Sequence, residues 1–288
     1  LVLTANTVLV EGTVNGTLIA AGQSITINGT IKSDAILAAE NVLIGEKALI
    51  EGNIFTAGGD VVVRGKVLGS LFGASSTLTL AEGSSLGRNL YYAGYQVEAK
   101  AGSTVTRDIN AAGYQFVLGG SCRHLNLAGG AMELNGKVSG NAVLYLGQMD
   151  DSARDYRPWF SGMRLPPALP VGLRISEGAV ISGKLTYTSS VDQSAGFNVT
   201  PVGGTVFQTP VPSMQRENHP SVVSWRASNF GVAFWLWDLL RNLVTILILG
   251  ALVFWLAPRL FERALEQVKA HSLGSIGIGF VALAVSFA

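Results

Sequence analysis

Charge is scarce in this chain and cysteine is nearly absent. Charged residues make up 14% of the 288, and the formal net charge is only +1. That balance gives no electrostatic argument for nucleic acid as a partner. It also excludes a disordered polyelectrolyte, which needs high net charge and few apolar residues. Cys122 is the sole cysteine, so an internal disulfide framework and a cysteine zinc cluster are both excluded. His124, His219 and His271 are scattered, with no carboxylate or cysteine partner at motif distance. Metalloprotease His-Glu-x-x-His, Walker-type phosphate loops and calcium-binding Gly-Gly-x-Gly-x-Asp nonapeptides are missing. The expectation is a non-enzyme with no catalytic residues, no cofactor and no bound metal. Helix-period patterning is missing from residues 1–195 as well, where glycine is too frequent for helices.

What the chain has instead is a repeat. A turn glycine followed by a short alternating strand occurs as Gly12-Thr-Val14-Asn-Gly16-Thr-Leu18, Gly65-Lys-Val67-Leu-Gly69-Ser-Leu71 and Gly136-Lys-Val138-Ser-Gly140. Val14, Ile31, Leu49, Val67, Leu86, Val105, Cys122 and Val138 follow one another at intervals of 16–19 residues. Strand segments such as Ser24-Ile25-Thr-Ile27 and Thr77-Leu78-Thr-Leu80 alternate with period two, which sends one set of side chains inward. A repeat this short cannot bury its own apolar face, so copies must stack. The fold class expected is an all-β parallel β-helix of 16–19 residues per coil, followed by α-helical transmembrane segments. Cys122 falls on an inward position and reads as a buried apolar residue.

The β-helix is expected over 1–147. Prolines and charges then interrupt it, and 148–172 reads as an insertion loop carrying Trp159 and Phe160. These two aromatics either pack on the solenoid flank or bind a partner. The last coil or coils are placed at 173–195, and the proline-rich stretch 196–229 reads as a linker or cap that ends the solenoid. Residues 230–258 read as a first transmembrane helix, with Trp235, Trp237 and Trp255 as interfacial anchors. Asp238 and Arg241 lie three apart and can pair on one helix face. They lie in the interface before the span begins, or they point into a protein interior. An amphipathic loop at 259–272 leads to the start of a second span at 273–288, with further spans expected beyond. Arg259, Arg263 and Lys269 after the first span outnumber Arg216 and Arg226 before it, which places 259–272 in the cytoplasm and the β-helix outside the membrane. Leu1 stands where a methionine would begin a chain, so a removed signal peptide or missing residues are both open.

Other candidates are few. Tyr95 and Tyr114 occupy aligned copies of Ala-Gly-Tyr, 19 residues apart, and stack into an aromatic ladder if coils are superposed. That ladder is either corner packing or a surface for a protein or sugar. Asp34, Asp60 and Asp108 fall in different coils at unequal phases and read as solvated turn residues. Asn15, Asn28 and Asn198 match glycosylation sequons, the first two because Asn-Gly suits a turn.

The recurring Gly-x-Val-x-Gly-x-Leu phrase, with segments such as Ile25-Thr-Ile27-Asn28-Gly29-Thr30-Ile31, resembles the bactofilin family of polymer-forming bacterial cytoskeletal proteins. The resemblance covers 1–147 and returns near 173–187. It implies a β-helix that polymerises end to end into non-polar filaments without a nucleotide. The long insertion and the apolar C-terminal region look more like membrane-anchored, bactofilin-like proteins, in which a solenoid precedes several spans. The expected partners are therefore the lipid bilayer and either another copy or a protein partner in a membrane assembly. The expected role is structural. A glycan- or complex-binding module acting through 148–170 is the alternative.

Overall fold

Each strand of a coil lacks a hydrogen-bonding neighbour within its own turn, so the coils above and below must supply one. The computed structural model describes residues 1–147 and 165–210. Across them the chain winds into a parallel β-solenoid of about ten turns, within the compact unit Leu1–Met214. The long strands are Leu18–Ile27, Ala35–Ile44, Ile54–Val63, Leu71–Leu80, Leu90–Ala99 and Ile109–Leu118, ten residues each. With eight shorter strands they form a 14-stranded parallel sheet, and two-residue strands such as Leu49–Ile50 and Lys66–Val67 form a second sheet of nine strands.

Every long strand turns a corner. In Ile54–Val63 the buried positions are Ile54, Thr56 and Gly58, then Gly59 at the corner, then Val61 and Val63, so the inward parity switches partway. The residue at the switch has no Cα partner: pairing runs Ala39↔Gly58 and then Asn41↔Asp60. Each coil therefore has a first run before the corner, a second run after it, and a third run in the short strand. Inward side chains stack coil on coil: Ile27, Ile44, Val63 and Leu80 from the second run, and Ile31, Ile50, Val67 and Leu86 from the third. Each aliphatic buried this way contributes about 1.5–3 kcal/mol.

Side chains also tie the turns between the third and first runs. Asp34 Oδ1 accepts from the Asn53 backbone N–H at 2.7 Å, and Asn53 Oδ1 accepts from the Ser70 N–H at 2.9 Å. Asn89 Oδ1 accepts from the Asp108 N–H at 3.2 Å, His124 Nδ1 from the Asn141 N–H at 2.9 Å, and Asn141 Oδ1 from the Lys184 N–H at 3.0 Å. Short polar side chains recur here because each satisfies an amide that the turn would otherwise leave bare.

Two expectations need correction. The inward residue of the third coil is Ile50, which pairs with Ile31 and Val67, and not Leu49, which points outward. Two adjacent aliphatics satisfy a period-two pattern in either phase, so spacing could not choose between them. The solenoid also continues past 195. Phe197 bridges to Ile175, and Thr205–Gln208 pairs with Leu185–Thr188. Pro201 sits in the turn before that last strand and Pro210 follows it, so neither removes a ladder N–H.

The insertion does not disturb the register. Ala131–Leu134 pairs directly with Gly172–Ile175, and Leu125–Gly129 pairs with Ala142–Leu146. Gly172, with φ of +124°, takes the backbone conformation that returns the chain to the sheet, and it pairs with Ala131. Among the described residues no helix is long and apolar enough to cross a membrane. The spans expected at 230–258 and 273–288, with Trp235, Trp237, Trp255, Asp238 and Arg241, lie outside those residues.

Candidate functional site

The first run of every coil is built from uncharged residues. Leu18–Ala21, Ala35–Ala39, Ile54–Gly58, Leu71–Ser75, Leu90–Gly94, Ile109–Gly113, Leu125–Gly129, Ala142–Leu146 and Leu185–Thr188 contain no Asp, Glu, Lys or Arg. Their outward side chains form two parallel rows. One row is Ile19, Ile36, Phe55, Phe72, Tyr91 and Asn110, in register coil by coil. The other is Ala21, Ala38, Ala57, Ala74, Ala93 and Ala112, and in the coils beyond the two rows continue as Asn126, Val143 and Thr186 and as Ala128, Tyr145 and Thr188.

The aromatics of the first row stack face to face. Phe55 and Phe72 lie 4.9 Å apart between ring centroids with planes 6° from parallel, and Phe72 and Tyr91 lie 5.0 Å apart at 9°. The coil spacing of a parallel sheet sets this separation, and stacking adds about 0.5–1.5 kcal/mol per pair. Phe55 and Tyr91 remain 40% exposed and Phe72 37%. Sequence reasoning missed this ladder. The available signal was the spacing of Phe55, Phe72 and Tyr91, each one residue into its long strand.

Tyr95 and Tyr114 stack as their spacing predicts, 5.1 Å apart and 17° from parallel. They occupy the corner position, the one the register skips. Tyr95 is buried and Tyr114 half-buried. Burial, and then the neighbouring Tyr114, push the Tyr95 hydroxyl above the ordinary tyrosine value. The insertion leaves from the same corner row, since 147–171 occupies the position held by Gly130 one coil earlier. Trp159 and Phe160 lie outside the described residues.

The returning end of the insertion straps back over this edge. The Gln115 side-chain N–H₂ donates to the Pro167 carbonyl at 3.1 Å, and its Oε1 accepts from the Leu169 N–H at 2.8 Å. The same N–H₂ also donates to Gln96 Oε1. Pro166 joins Glu40, Asn41, Asp60, Thr77, Gln96 and Glu98 in lining an open polar groove of about 430 Å³ along the second run.

The remaining candidates serve the framework. Asp34 ties a turn, Asp60 accepts from Thr77 Oγ1, and Asp108 holds Arg123 through two bonds of 3.0 and 3.2 Å. Cys122 is buried, and burial pushes its thiol up to about 12. Sequence reasoning also missed a motif: Gly83-Ser84-Ser85-Leu86-Gly87 spells a nucleophile-elbow pattern, but Ser85 lies in a short strand between Lys66 and Thr104. A strand-to-helix turn is what that chemistry requires. Among the described residues no three His, Cys, Asp or Glu side chains gather to hold a metal ion. No family model, curated protein or solved structure matches the chain.

Proposed function

We propose that this chain is a non-enzymatic scaffold: a membrane-anchored, bactofilin-like β-solenoid held on the extracytoplasmic side. The observation that supports it is the unbroken stack, in which about ten coils keep their register across the long insertion. At a rise of about 4.8 Å per coil, such a rod is ~45–50 Å long. Its length and stiffness suit holding partners at a fixed distance from a bilayer, or building a larger assembly coil upon coil. Residues 230–258 and 273–288 supply the anchor in this reading.

Membrane fractionation and electron microscopy of the detergent-solubilised chain test it together. The expected result is a chain that detergent extracts and alkaline carbonate does not, seen as short rods or as filaments made of them. Release by carbonate alone would overturn the anchor. Turnover of a glycan by the purified chain would overturn the non-enzymatic role. A second reading, a glycan-binding module, is favoured by the strap at 165–170 beside the polar groove of the second run. Retention on immobilised cell-wall glycan that is lost in Gln115→Ala would support it over the scaffold.

A further inference from the structure

We propose that the uncharged first-run face is a self-association surface, on which two copies lie side by side with their rods pointing the same way. This goes beyond the scaffold reading and requires neither end-to-end stacking nor the anchor.

The face has the shape such pairing needs. Across one coil it presents a bulky residue and a small one: Phe55 with Ala57, Phe72 with Ala74, Tyr91 with Ala93. Outward neighbours of one strand lie about 7 Å apart, so the aromatics form a ridge and the alanines a shallow groove beside it. A twofold axis between two such faces has two simple directions. If it runs across the rods, ridge meets ridge and the alanine rows enclose empty space. If it runs along the rods, each ridge drops onto the partner's alanine row, coil for coil. Close packing selects the second arrangement, which is parallel and isologous.

The area suffices for a stable pair. The whole uncharged face, about ten coils at ~4.8 Å each with a first run ~17 Å wide, presents roughly 800 Å² per copy, apolar from Ile19 to Tyr91 and carrying Asn110, Asn126 and Thr186 in the coils beyond. Two copies then bury about 1,600 Å², the size of an ordinary specific interface. The charge distribution agrees: the rows carry none, whereas Arg88, Arg107, Asp108 and Arg123 sit in the turns that border them, as a polar rim does. The apolar part of the face, the five coils from Ile19 to Tyr91, covers roughly 400 Å², the size of the largest patch a monomer usually exposes, which is often functional.

Cross-linking the full chain in detergent tests the proposal. Cys122 is buried with its thiol pushed up to about 12, so it stays silent towards maleimides. Copies carrying Phe72→Cys are mixed with copies carrying Ala74→Cys and treated with a short bis-maleimide. The parallel pair gives a mixed dimer in which a Phe72→Cys copy is joined to an Ala74→Cys copy, and a Phe72→Cys with Thr79→Cys mixture gives no such mixed product. Independently, Ala74→Glu or Tyr91→Lys weakens association by roughly a hundredfold or more, because each buries an unpaired charge. Particle mass falls by half while the circular dichroism spectrum of the β-solenoid is kept. Using both substitutions guards against either one failing to fold. A wild-type chain of single-copy mass overturns the proposal, as does an Ala74→Glu and Tyr91→Lys pair that both remain dimeric. A Phe72→Cys side chain protected within a single copy would show that the chain's own 148–164 or 211–229 segment covers the face. Protection only on adding phosphatidylglycerol vesicles would show a bilayer there. Either result overturns pairing without touching the scaffold reading, whose readouts are carbonate extraction and rod length.

Discussion

The first and second runs of one long strand differ in everything except what they send inward. Leu71 and Leu78 are both buried in the same core, one on each side of the corner. Outward, the first run offers the exposed Phe72 and Ala74, and the second offers the half-buried Thr79 and a buried Thr77. The contrast holds up the stack. Asn41, Asp60, Thr77 and Gln96 line the second run, where the first has Ile36, Phe55, Phe72 and Tyr91. Since strand pairing and core are shared, folding alone does not dictate the outward chemistry. The second run has the mixed polar surface of an ordinary sheet face. The first run is uncharged in every coil, which costs solubility and needs a separate reason, and contact with another molecule is one.

The largest effect comes from treating the two runs alike on the inside. Leu71→Ala and Leu78→Ala each remove a fully buried side chain, and each is expected to destabilise the solenoid by about 2–5 kcal/mol in urea unfolding. Equal losses would show that the runs share one core. A much smaller loss on one side would mean that the face is only loosely attached. Ile50→Ala belongs to the same class, whereas Leu49→Ala is expected to cost less than about 1 kcal/mol, which checks the corrected register.

Next is the edge between the runs. Gln115 is buried and serves both Gln96 and the strap at Pro167 and Leu169. Gln115→Ala leaves the Gln96 amide and the Leu169 N–H unpaired, at a cost of about 1–3 kcal/mol. Limited proteolysis is expected to cut near 165–170 several-fold faster in that variant, with the coils themselves unaffected. Protection equal to wild type would mean that the strap is held by other contacts.

On the outside the runs should part company. Phe72→Lys and Thr79→Lys both place a charge on an outward position, and each is expected to change unfolding stability by less than about 1 kcal/mol. Only Phe72→Lys should alter the particle mass seen by light scattering. If both do, association is not confined to the first run.

These contrasts also show how far the residues could be read without coordinates. The coil period and the burial of Cys122 follow from alternation, because inward positions obey one rule, and the stacking of Tyr95 on Tyr114 follows from their 19-residue spacing in aligned copies. The corner did not show itself. A switch of parity at Gly59 or Tyr95 looks like irregular alternation until the register reveals the skipped residue. Nor did the Phe55–Phe72–Tyr91 ladder, since intervals of 17 and 19 residues line up only when the turns absorbing the difference are known. The last strand, Thr205–Gln208, lay hidden among prolines that frame it.

The smallest effect concerns the border of the first run. The Arg123 guanidinium hydrogen-bonds Asp108 and holds its carboxyl below the ordinary range, against a weaker opposing push from burial. A carboxylate whose folded value is depressed adds stability above its unfolded value, near 4, and loses it as the pH falls through the folded value. Asp108→Asn should therefore lower stability by a constant amount from about pH 5 upward, and the two proteins should converge as the pH falls through the depressed folded value. The pair is partly exposed, with the Arg123 side chain 51% accessible, so the gap should be slight and should shrink in salt. Asn retains the backbone bonds that Asp108 makes to Asn89 and Leu90, so the turn itself stays in place. A gap that instead persists at acid pH would mean that Asp108 supports the first run through its shape and turn bonds rather than its charge. The rim would then contribute to the fold and not to the electrostatics of the face.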